Sequence, residues 1–165
     1  GSAYRLLQRP VKELARIGGR GTILRNPTSK AATTLIDSLR TELLDVELVL
    51  DGGQVSELVL TKGESGQAVI GVNPDREELS FDRRAFGRTD FNRSFPGVHS
   101  APLSISGGKV TLRMLIDRSS IELFANEGES VISDLFFTGP GNVGLDFDRA
   151  SVSRLTVFPL KGIWK

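Results

Sequence analysis

From about residue 36 onward, short runs of alternating apolar and polar residues recur, each closed by a turn cluster, and this rhythm leaves few folds open to the chain. Val46, Leu48 and Leu50 alternate with Glu47 and Val49, and Asp51-Gly52-Gly53 closes the run. Leu58 and Leu60 follow, then a turn around Gly63–Gly66. Ala68, Ile70 and Val72 alternate before Asn73-Pro74-Asp75, and Leu79 and Phe81 come after it. In the second half Val110, Leu112, Met114 and Ile116 share one face. Ile121, Leu123 and Ala125 do the same, up to a turn at Asn126-Glu127-Gly128. Val131, Ser133 and Leu135 alternate with Ile132, Asp134 and Phe136. Beyond the break at Gly139-Pro140-Gly141-Asn142 lie Val143, Leu145 and Phe147, and a last strand spans about 151–158 with Leu155 and Val157 on one side. Residues two apart share a face of a strand. Many short strands at regular turn spacing predict an all-β sandwich or barrel, and their number favours a two-sheet antiparallel β-sandwich.

The ends and the irregular stretches read differently. Pro10 can open a short helix, with Val11, Leu14 and Ala15 on one face and Gly18-Gly19 as its stop. So short a helix must dock on something to persist. This divides the chain into a linker segment over 1–20 and the sandwich over 21–165. Residues 20–35 read as loop and turn. The stretch from Arg83 to Pro102, rich in Arg, Phe, Gly and Asn, reads as a long loop of the kind that carries function.

The 165 residues suit one domain. A net charge of +1, with both signs interspersed, points to neither nucleic acid nor an anionic membrane as partner. No apolar run approaches the roughly 20 residues that span a bilayer. The chain has no cysteine, which excludes disulfides, thiolate nucleophiles and Cys-ligated zinc. Gly1-Ser2 reads as a cloning scar, so the missing signal peptide carries no weight. His99, the single histidine, makes no metal constellation and reads as a hydrogen-bonded loop residue. No metal or cofactor is expected.

The segment Leu112–Asn126, LRMLIDRSSIELFAN, is the most informative. Folded as a hairpin with Ser119-Ser120 at its tip, it sets Asp117 across from Glu122, Ile116 across from Leu123 and Met114 across from Ala125. That register pairs apolar with apolar on one face. It also opposes two carboxylates on the other, which costs stability unless an arginine, a metal or a polyol offsets it. Calcium needs 6–8 oxygen ligands, and nothing here supplies the rest. Sugar hydroxyls suit the pair, since they donate to carboxylates and accept from an arginine fork. The candidate ligand-binding residues are Asp117 and Glu122 as acceptors, Arg83 and Arg118 as donors, and Glu47 as a weaker acceptor. A surface ion-pair network is the other reading of the same residues. Phe81, Phe86, Phe91 and Phe95 are read as core and loop anchors rather than as a stacking platform.

This hairpin resembles the C-terminal β-sandwich of the invertase, levanase and inulinase glycoside hydrolases (family 32 type). Leu6–Leu14 (LLQRPVKEL) resembles that family's linker helix, Leu79–Gly87 (LSFDRRAFG) its strand and loop with an Asp-Arg pair. His99–Leu103 (HSAPL) and Ile116–Asn126 (IDRSSIELFAN) resemble its two most recognisable motifs. The resemblance runs from about residue 4 to 158. It implies what is missing as well. The only tryptophan is Trp164, so the family's Trp-Met-Asn-Asp-Pro nucleophile motif is absent. So are its Arg-Asp-Pro motif and the glutamate that precedes a cysteine, and no carboxylate pair is carried over for glycoside hydrolysis. The resemblance implies a secreted, non-catalytic module for fructose units of levan or inulin. Its alternative is a structural accessory domain that packs on a catalytic propeller or supports oligomerisation, with Tyr4, Leu6, Leu7 and Trp164 at the interface.

Overall fold

The alternating runs pair into two antiparallel sheets in a computed structural model that describes residues 6–105 and 107–162. Along the chain come α1 (Leu14–Ile17), β1 (Thr22–Arg25), α2 (Ser29–Leu39), β2 (Leu44–Asp51), β3 (Ser56–Lys62) and β4 (Gly66–Asn73). There follow β5 (Glu78–Phe86), β6 (Val98–Pro102), β7 (Lys109–Ile116), β8 (Ser120–Ala125), β9 (Ser130–Leu135), β10 (Val143–Arg149) and β11 (Val152–Pro159). One sheet has the order β1-β11-β2-β7-β8-β9 and the other β10-β3-β4-β5-β6. The expected sandwich is the fold. Its core is the set that alternation marks: Val46, Leu48, Leu112, Met114 and Leu155 from the first sheet meet Leu58, Leu60, Ile70, Leu79 and Phe81 from the second. Each such burial stabilises the fold by roughly 1.5–3 kcal/mol relative to exposure.

Two stretches depart from the expectation of loop. Within 20–35 the chain forms β1 and then enters α2. The Thr28 hydroxyl caps that helix by accepting from the Ala31 N–H at 3.2 Å. Ala32, Leu35, Ile36 and Leu39 then recur at helical spacing, with Ala32 and Ile36 fully in the core. Within 83–102, β5 continues through Phe86, and Val98–Pro102 adds β6 at the sheet edge.

The two long sides of the sandwich close by different means. Helix α2 packs between β10 and β11 on one side. On the other, β6 and β5 face β9, and a buried ionic clasp joins them. There Arg83 donates to the Asp134 carboxylate, and His99 Nδ1 lies 2.7 Å from its other oxygen. Arg83 also donates to Leu135 O at 2.9 Å and Phe95 O at 3.0 Å, and its guanidinium stacks 3.9 Å from the Phe95 ring centre.

The N-terminal segment docks on the sandwich, as a marginal helix must. Among its described residues only Leu14–Ile17 is helical, and residues 6–13 form an irregular strap over the outer face of the six-stranded sheet. Gln8 N–H donates to Gly128 O at 3.0 Å, and Arg9 pairs with Glu127 at 2.7 Å. At the far end Gly19 N–H donates to Pro159 O at 2.7 Å, and Ile17 O accepts from Lys161 N–H at 2.9 Å. Tyr4 and Trp164 lie outside the described residues.

Candidate ligand-binding site

The β7–β8 hairpin turns one residue earlier than its sequence suggests. Met114 pairs with Leu123, Leu115 with Glu122 and Ile116 with Ile121, and Asp117 N–H donates to Ser120 O at 2.9 Å. The tip is therefore Arg118-Ser119, not Ser119-Ser120, and Asp117 does not stand directly across from Glu122. The cause lies outside the hairpin. Lys62 Nζ donates to Arg118 O and Phe136 N–H to Ser119 O, each at 2.9 Å, so both tip carbonyls are held from outside the hairpin. Asp117 Oδ1 also accepts from the N–H of the next residue, Arg118, at 2.6 Å.

The register differs from the expected one by two residues, which preserves every face. Ile116 and Leu123 are buried behind the hairpin, and Asp117 and Glu122 project together from the outer face. They are diagonal neighbours, about 7–8 Å apart at the backbone, so their repulsion is weaker than direct opposition would give. Neither carboxylate has an ion-pair partner among the described residues. They edge a cleft whose other polar residues are Arg118, Ser120 and Lys161, and whose apolar wall is Leu14, Ile17, Leu115 and Leu160. The strap thus supplies part of the wall. Sequence reasoning missed Lys161, which only the return of β11 beside α1 brings to this place.

The other two candidates stand elsewhere. Arg83 extends β5 at the same parity as Leu79 and Phe81, so it points into the sandwich and is consumed by the clasp. It lies on the opposite face of the β7–β9 layer from Glu122, because Asp134 faces inward with Ile132 while Ser133 beside Glu122 faces out. Glu47 is on the outer face but in a separate cleft with Arg113 and Arg154. Behind the hairpin tip, Lys62 is almost fully buried and pairs with Glu42 at 3.4 Å. The Gly141 N–H at 2.8 Å, with help from Lys62, holds the Glu42 carboxyl below its ordinary pKa.

A family model described as "Glycosyl hydrolases family 32 C terminal" matches residues 13–159. A levanase of Bacillus sp. (strain L7) is 32% identical over 98% of this chain, and a levanase of Bacillus subtilis (strain 168) is 33% identical over 97% of it. The chain spans only 19% and 25% of those proteins. The crystal structure of exo-inulinase from Aspergillus awamori superposes on 99% of the chain with a TM-score of 0.76 at 19% identity, using 34% of its own length. That likeness shows the fold.

Proposed function

For a chain that belongs to the glycosyl hydrolases family 32 C-terminal domain family, we propose the function of a non-catalytic module that holds fructose units of levan or inulin within a larger fructan-splitting protein. The observation that carries this is the pair of exposed carboxylates that make no ion pair among the described residues, set beside an apolar wall and two cations. A fructose ring can rest its C–H face on Leu115 and Leu160 while its hydroxyls donate to Asp117 and Glu122 and accept from Arg118 and Lys161. Such charge-assisted bonds are the strong kind. No hydrolysis is expected, since an open sheet face lacks the enclosed pocket that separates the pKa values of a catalytic pair. An extracellular setting is part of the proposal, in keeping with a relative from Aspergillus awamori called an extracellular exo-inulinase.

Affinity electrophoresis in levan and in inulin tests the reading. Retention is expected, with Asp117→Ala or Glu122→Ala weakening it roughly ten- to a hundredfold. Wild-type protein that migrates freely in both polymers would end this reading. The second reading, a structural domain that packs on a catalytic propeller, would then take its place. It is favoured by large apolar side chains left in solvent: Leu6 at 82% and Val11 at 69% exposure on the strap, and Phe91 and Phe137 beside the clasp.

A further inference from the structure

The outer face of the six-stranded sheet carries a second cleft. Strap residues Gln8, Arg9 and Pro10 wall it, whereas Leu14 and Ile17 wall the first, and the two share no lining residue. Its volume is about 420 Å³, enough for a monosaccharide ring.

Charge in this cleft is arranged so that, among the described residues, one donor has no partner and one acceptor has only a long ion pair. Arg113 is held by Asp45 through two hydrogen bonds of 2.8 and 2.6 Å. Arg9 is held by Glu127. Glu47 stands 3.7 Å from Arg113 Nε, beyond hydrogen-bond length, and is 41% exposed. Arg154 has no hydrogen-bond or ion-pair partner among the described residues. Yet Glu47 and Arg154 are diagonal neighbours on paired strands, since Glu47 pairs with Thr156 and Val49 with Arg154. They look across the same cleft without closing on each other. Three arginines (Arg9, Arg113, Arg154) and two glutamates (Glu47, Glu127) line the place, and Asp45 holds Arg113 from outside the lining. With Arg9 and Arg113 already matched, a phosphate or a carboxylate would meet the exposed Glu47, and a neutral ligand rich in hydroxyls suits the place better. Thr111 adds a hydroxyl, and Phe124 with Pro10 gives an apolar side.

We propose that this cleft is a second subsite for a neutral sugar ring, with Glu47 accepting hydrogen bonds from ligand hydroxyls and Arg154 donating to them. The proposal rests on the fructan-binding reading and adds to it a second point of attachment on the same sheet face. A polymer that reaches both places gains avidity without any new contact.

Amide-resolved NMR titration of the full chain with free fructose, then with inulin oligosaccharides, tests this. Two groups of saturable shifts are expected in the wild type, one around Asp117–Glu122 and one around Glu47, Thr111 and Arg154. Glu47→Gln combined with Arg154→Gln should remove the second group alone and weaken retention by the polymer roughly tenfold. Asp117→Ala should remove the first group alone. Both pairs of side chains are exposed, so an unchanged melting temperature serves as the control for folding. A titration in which only the first group moves, or in which the second persists in the double variant, overturns the proposal and leaves the fructan reading standing. A titration in which only the second group moves supports the proposal and removes Asp117 and Glu122 from the site. No shifts in either place overturn both.

Discussion

Three charged side chains sit where alternation alone would put apolar ones. Lys62 follows Leu58 and Leu60, Arg83 follows Leu79 and Phe81, and Asp134 lies between Ile132 and Phe136; all three are buried. Arg83 and Asp134 neutralise each other across the layers, and removing one partner of such a pair costs about 3–5 kcal/mol. Arg83→Ala is therefore expected to lower unfolding free energy by about that much in urea denaturation, with no direct effect on sugar contacts. Arg118→Ala, at an exposed hairpin tip, should stay within about 0.5 kcal/mol of wild type in the same assay. The inward parity of Arg83 was legible in the sequence; read as a polar residue in a loop it looks like a ligand donor, and its strand parity was the signal against that. The shared face of Asp117 and Glu122 was legible too, because face depends only on odd or even spacing. Their exact opposition was not, since Lys62 on β3 and Phe136, just past the end of β9, hold the turn from outside the hairpin.

At the scale of elements, periodicity found the strands with strong apolar alternation and missed those without it. β1 and β6 are edge strands with mostly exposed side chains, so no burial pattern marks them. α2 escaped because Ser, Thr and Ala supply most of its first two turns, though Thr28 ahead of the Ala32, Leu35, Ile36 and Leu39 stripe is a start signal. Thr28→Ala should destabilise the domain by about 1 kcal/mol, read as a lower urea midpoint. The strap depends on a different detail. Gly128 has a φ of +93°, and a Cβ there would lie 1.8 Å from Gln8 O. Gly128→Val should thus both strain the turn and push the strap off the sheet. Faster proteolytic cleavage between residues 8 and 19, with the core strands still protected, is the expected result. Unchanged cleavage would mean that Gln8 does not need its seat.

For the whole molecule, acid acts on carboxylates whose pKa values folding has lowered. Glu42 is lowered by the Gly141 N–H and Lys62, Asp82 by its hydrogen bonds to Arg84. A depressed folded pKa contributes stability that is present above the unfolded value, about 4, and is lost as pH falls through the folded value. Melting temperatures should accordingly hold at neutral pH and decline below about pH 4. Salt should leave binding of a neutral sugar nearly unchanged, because no counterions are released. The unlike closures of the two long sides give the sandwich a direction. It is bound like a book, with α2 as the spine between β10 and β11 and the Arg83–Asp134–His99 group as a buckle on the fore-edge. Dispersive packing along a spine yields gradually, whereas a buckle is either fastened or not. The pages should therefore part first at β6 and β9, and Asp134→Asn should speed amide exchange in β6 while β10 keeps its wild-type protection.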